Sequence, residues 1–95
     1  MKPEALIKAN IRAWLHSKGA VTFSPVQMGM GGHALDIIVC LQGRYVEIEA
    51  KVPGKTPTAR QAQRIAEINK AGGTAFWCDN LESCKDLMKQ AGWVL

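Results

Sequence analysis

The cysteines of this chain lack a pattern that would serve metal or disulfide chemistry. Cys40, Cys78 and Cys84 are an odd number with no C-x-x-C pair. Cys40 and Cys78 fall inside apolar strand-like runs and Cys84 on a helix face, so all three are read as buried free thiols. The two histidines, His16 and His33, are too isolated to build a zinc site. No apolar run approaches the roughly 20 residues needed to cross a bilayer. The first residues, MKPEALIKANIRAW, lack a signal-peptide core. A soluble, intracellular protein without membrane contact is therefore expected. The glycine-rich stretch SPVQMGMGGH contains no G-x-x-x-x-G-K, which excludes a P-loop. There is no repeat, low-complexity segment or linker, so residues 1–95 are expected to form one domain.

What is present suits a folded core. The hydrophobic fraction is 47% and the charged fraction an ordinary 21%, which argues against disorder. A net charge of +4 with a pI near 9.2 leans towards a polyanionic partner.

Pro3 to about Lys18 reads as a helix, with Pro3 and Glu4 suited to its first turn and Gly19 to its end. Ile7, Ile11, Trp14 and Leu15 make its apolar stripe. Lys8, Arg12 and His16 form a basic face that is read as solvated surface. Val21–Phe23 is a short strand candidate. Leu35–Leu41 and Arg44–Val52 read as strands joined at Gln42-Gly43. Strand alternation sets Leu35, Ile37, Val39 and Leu41 against Asp36, Ile38 and Cys40. In the second strand it sets Val46, Ile48 and Ala50 against Tyr45, Glu47, Glu49 and Lys51. After the turn PGKTP, Thr58-Ala59-Arg60-Gln61 matches a capping box and opens a helix to about Ala71. Gly72-Gly73 stop it. Thr74–Cys78 is a short strand, and Asp79 or Asn80 caps a last helix with Leu81, Cys84, Leu87, Met88 and Ala91 on its apolar side. The order is α-β-β-β-α-β-α: an α/β domain with a mixed central sheet flanked by helices.

The strand pair brings chemistry together. Asp36 and Glu49, on neighbouring strands, can supply two carboxylates, and the Ala50 backbone carbonyl a third oxygen. Hard cations such as Mg²⁺ prefer such donors. Lys51 shares the Glu49 face because the side-chain period is two, so it can hold or deprotonate a water and stabilise a pentavalent phosphorus. An E-x-K tripeptide is common, and alone it is an exposed pair on a sheet. Its weight here comes from the aspartate that opens the preceding strand and from the Pro-Gly loop leading into Thr-x-x-Gln. Glu47 is read as a surface carboxylate. Lys55, Arg60 and Arg64 flank the site and are candidate phosphate contacts, with a solvated basic face as the equal alternative.

Asp36, Glu49-Ala50-Lys51, Gly32 before the aspartate, Glu4 in the first helix and Gln61 after a Pro-Gly loop together resemble the PD-(D/E)xK nuclease superfamily. More narrowly, nearly the whole chain resembles the VRR-NUC (virus-type replication-repair nuclease) domain. The resemblance implies a restriction-endonuclease-like core and a metal-dependent nuclease, with Mg²⁺ as cofactor and Mn²⁺ as substitute. It implies Asp36 and Glu49 as metal ligands, Lys51 as the catalytic lysine, Glu4 as an auxiliary acid reaching the metal directly or through water, and Gln61 as polar support. Glu4 also has the reading of a helix-dipole residue only, and Gln61 of a capping residue only. The family's proline before the aspartate is absent, and Leu35 stands there. Small standalone phage members resemble Holliday-junction resolvases, which implies branched DNA, a homodimer and, for a phage-encoded chain, the host cytoplasm. The apolar Trp93-Val94-Leu95 tail and Met28/Met30 are candidate interface material. Two other classes stand beside the nuclease: a non-catalytic DNA-binding module and a small interaction subunit. No motif for reading base edges is visible, so binding is expected to rest on phosphates and to weaken steeply with salt.

Overall fold

Pro3 stands where its missing N–H is no loss and its fixed φ fits a helix start. The helix it opens, α1 (Pro3–Ser17), buries Ile11 and Leu15, with Ile7 and Trp14 packed beside them at helical spacing. The computed structural model describes residues 2–26 and 33–95. In it β1 (Val21–Phe23), β2 (Ile37–Leu41), β3 (Arg44–Ala50), α2 (Ala59–Lys70), β4 (Thr74–Cys78) and α3 (Leu81–Gln90) follow. The order is the expected one.

The sheet runs β1-β2-β3-β4. Its first three strands are antiparallel and β4 is parallel to β3, so the sheet is mixed. Parallel pairing needs a crossover, which α2 supplies. The β2–β3 turn has φ of 53° at Gln42 and 74° at Gly43; two positive φ values are what a type I′ hairpin turn demands. At the end of α2, Gly73 answers to space: a Cβ there would meet Ile68 Cγ2 at 2.9 Å.

Each face of the sheet buries a different set. Ile37, Val39, Leu41, Val46, Ile48, Ala50, Phe76 and Cys78 pack against α1 and α3 and form the main core. Each Val, Leu, Ile or Phe among them contributes about 1.5–3 kcal/mol by leaving water. On the other face α2 lies over β3 and β4, and Leu35, Ile65, Ile68 and Ala75 form a smaller cluster. The molecule is three layers, helix–sheet–helix, with the smaller cluster beneath the candidate site.

Several expectations change. Strand β2 starts at Ile37 rather than Leu35, and Leu35 falls in the α2-side cluster instead of beside Ile37. Strand β3 ends at Ala50, although the Lys51 N–H still bonds the Cys78 carbonyl at 2.9 Å. Cys78 and Cys84 are buried but Cys40 is exposed, because α2 covers β3 and β4 and leaves β2 open. Trp93 is 4% exposed and belongs to the main core, with the Arg44 guanidinium 4.0 Å above its ring; only Val94 and Leu95 of the tail are exposed. Arg12 and His16 reach Ser24 Oγ and Thr22 Oγ1, which ties α1 to β1 and its following residues. The loop glycines Gly29, Gly31 and Gly32, with Met28 and Met30, lie outside the described residues. No helix among the described residues is long and apolar enough to cross a membrane.

Candidate active site

Alternation along β3 turns Glu47 and Glu49 towards α2, while Val46, Ile48 and Ala50 enter the main core. The β2–β3 register pairs Ile37 with Ile48, so the next residue out on each strand brings Asp36 opposite Glu49. The two acids interlock through the backbone. The Asp36 N–H donates to Glu49 Oε1 at 3.2 Å, and the Ala50 N–H donates to Asp36 Oδ2 at 3.1 Å. Lys51 Nζ stands 3.4 Å from Glu49 Oε2, as period two requires.

Gln61 completes this group through a helix cap. Its N–H donates to Thr58 Oγ1 at 3.1 Å, and its Oε1 accepts the Thr58 N–H at 2.9 Å. The amide oxygen is therefore committed to the cap, which leaves Nε2 to donate to Glu49 Oε2 at 3.0 Å. The capping and supporting roles of Gln61 are one arrangement. Asp36, Glu49, Thr58 and Gln61 line a cleft of about 210 Å³ together with His33, Arg60 and Arg64. A small-molecule pocket is usually about 300–1,000 Å³, so the cleft suits one charged portion of a larger ligand.

The electrostatics are those of two acids forced together. Burial first, and the Asp36 charge second, push the Glu49 carboxyl up to about 7, against the opposing pull of Lys51. Among the described residues, no group of three or more His, Cys, Asp or Glu side chains could hold a metal ion. Two carboxylates with oxygen donors are nonetheless what Mg²⁺ takes, since it keeps several waters and is bound through one or two carboxylates plus substrate phosphates. The crowding of Asp36 on Glu49 fits such a cation, which would offset their repulsion.

No family model and no curated protein sequence matches the chain. A solved structure, "VRR_NUC domain", superposes with a TM-score of 0.81 over 94% of this chain and 97% of that one, at 16% identity. The chain has the fold of a VRR-NUC domain. Its Asp36, Glu49, Lys51 and Gln61 come together on that VRR-NUC fold at the end of the β2–β3 pair.

Other expected site residues fare differently. Glu4 is exposed in the first turn of α1, a helix that packs on the opposite face of the sheet, and it does not line the cleft. Lys55 is exposed in the turn before α2. Arg60 lines the cleft, and its Nη1 donates to His33 Nε2 at 2.6 Å. Arg64 also lines the cleft but is engaged by Glu47, through Nε to Oε1 at 3.1 Å and Nη2 to Oε2 at 2.6 Å.

Glu47 departs most from expectation. It is 0% exposed rather than a surface carboxylate, because α2 lies over its part of β3. The Leu35 N–H donates to its Oε1 at 2.9 Å, and the Tyr45 hydroxyl donates to its Oε2. Burial alone would raise its pKa, but Arg64, Tyr45 and the Leu35 N–H outweigh burial and hold it below the usual carboxylate value. Its place on the Glu49 face was the one signal in the sequence. His33 was not legible as a cleft residue, since only the fold brings it to Arg60.

Proposed function

We propose that this chain is a metal-dependent DNA endonuclease that hydrolyses phosphodiester bonds, selective for branched DNA such as four-way junctions and acting as a homodimer. The observation that carries this reading is the Asp36–Glu49–Lys51–Gln61 group on a VRR-NUC fold. Asp36, Glu49 and the Ala50 carbonyl would hold Mg²⁺ or Mn²⁺, which supplies charge neutralisation at the phosphate and a more acidic water. Within the chain, Gln61 and the Asp36 N–H hold the two oxygens of Glu49 apart and in place. Lys51 is set against Glu49 Oε2, and a phosphate bound beside the two acids would meet its ammonium. There it holds the attacking water and stabilises negative charge as it grows on the phosphorus oxygens. Arg60, which lines the cleft, and the exposed Lys55 would contact flanking phosphates. A basic pI supports a nucleic-acid substrate.

The test is cleavage of a labelled four-way junction beside linear duplex and single strands, in Mg²⁺, Mn²⁺ or EDTA, by wild type and Lys51→Ala. Metal-dependent cutting of the junction, reduced at least about a hundredfold by Lys51→Ala, is expected. Cutting of every substrate would keep the nuclease and remove junction selectivity. Binding without cutting in either metal would replace the nuclease by a DNA-binding module on the same fold.

A further inference from the structure

Glu47 has no chemistry of its own to offer a substrate. A carboxylate has about four acceptor positions, and here Leu35 N–H, Arg64 Nε, Arg64 Nη2 and the Tyr45 hydroxyl occupy them. Stability is a poor reason for such a group, since a buried ion pair replaced by apolar side chains is often neutral or stabilising. What Glu47 holds is more informative. Strand β2 begins only at Ile37, so the preceding two residues lie beyond its ladder. Their amides are taken instead by two glutamates of β3: Leu35 N–H by Glu47 and Asp36 N–H by Glu49. The backbone that presents the Asp36 carboxylate is thus clamped from one strand at two successive residues. The same carboxylate fixes the Arg64 guanidinium at the cleft wall.

We propose that Glu47, with Arg64 and Tyr45, is a positioning residue of the nuclease site: through the Leu35 N–H it sets Asp36 for metal binding. This rests on the nuclease reading above. Glu47 never touches the metal or the substrate; it acts through the backbone of Leu35 and Asp36.

Two double variants separate positioning from folding. Glu47→Met with Arg64→Met replaces the pair by apolar side chains and removes the acceptor for Leu35. Glu47→Gln with Arg64→Met removes both charges but keeps a side-chain oxygen for the Leu35 N–H, with the amide NH₂ beside Tyr45. For each, thermal melting reports the fold, amide hydrogen exchange reports Leu35 and Asp36, and calorimetry reports Mn²⁺ affinity. Loss of outer hydrogen bonds around metal ligands typically costs about 10–100-fold in affinity. The Met/Met variant is expected to melt near wild type, to lose exchange protection at Leu35 while Val46 and Ile48 keep theirs, and to bind Mn²⁺ about 10–100-fold more weakly. The Gln/Met variant is expected to restore both the protection and the affinity. Equal Mn²⁺ affinity in wild type and both variants would overturn the positioning role and leave the nuclease intact. A wild type that binds no Mn²⁺ would overturn the nuclease reading, and this role with it.

Discussion

Glu49 is 3% exposed and faces Asp36, so burial and then the neighbouring charge raise its carboxyl to about 7. A carboxyl with a raised pKa binds its proton more tightly in the folded chain than in the unfolded one. The folded state is therefore favoured while Glu49 is protonated, and stability falls as pH rises from the ordinary value of 4.5 to about 7. Glu47 works in a lower window and in the opposite sense. Its pKa lies below 4.5, so its contribution is complete above that value and is lost only on further acidification. The metal-free protein should accordingly melt at a higher temperature near pH 5.5 than near pH 8. Mn²⁺ added at the higher pH should recover the difference, because a cation held by the two carboxylates would offset their repulsion. Calorimetric melting in EDTA checks this, with Glu49→Gln as control. A pH slope that survives Glu49→Gln belongs to other groups.

The start of α2 is where element and site meet. Thr58 and Gln61 close the cap in both directions, and the orientation this forces on the Gln61 amide is what presents Nε2 to Glu49. Glutamate at this position would serve the cap and the helix dipole equally well, yet it would set another carboxylate against Glu49. Gln61→Glu should therefore keep the helix while shifting the acid limb of the pH–rate profile upward and lowering cleavage about 10–100-fold. Gln61→Ala should lower cleavage and stability together without that upward shift. A Gln61→Glu profile that overlays wild type would remove Gln61 from the site and leave it a cap. The cap could be read from Thr-x-x-Gln, and the supporting role of Gln61 only from the family resemblance, whereas period two along β3 was enough to group Glu49 with Lys51. The partners of Glu47 were not readable that way. Arg64 lies 17 residues away, and Glu47 is buried only because α2 settles over that part of the strand. Leu35 escaped the alternation because β2 has not yet begun there, and Cys40 because an apolar strand residue is buried only if something covers it.

The layer that covers half of the sheet leaves the other half open, and this bears on where a second copy would dock. Strand β1 lies at one end of the sheet order, and Val21 and Phe23 are 72% and 63% exposed. In register they stand opposite Cys40 and Ile38, on the face that also carries Glu47 and Glu49. Among the described residues no strand pairs with the outer edge of β1, and an apolar edge strand of this kind can pair with another chain. Pairing there would place the proposed dimer contact on the same face as the sites, with two sites related by a two-fold axis. Wild type should then show a mass that rises with concentration in sedimentation equilibrium, and Phe23→Lys should remain folded and monomeric. Cys40 supplies an independent reading: exposed in the single chain, it should react with a thiol reagent faster in Phe23→Lys than in wild type at equal concentration. The two states also differ in product. A dimer carries two sites to one junction and linearises a cruciform plasmid in one binding event, whereas a monomer releases it nicked before the second strand is cut. A concentration-independent monomer mass for wild type, with nicked circles as the first product, would keep the nuclease and discard the dimer.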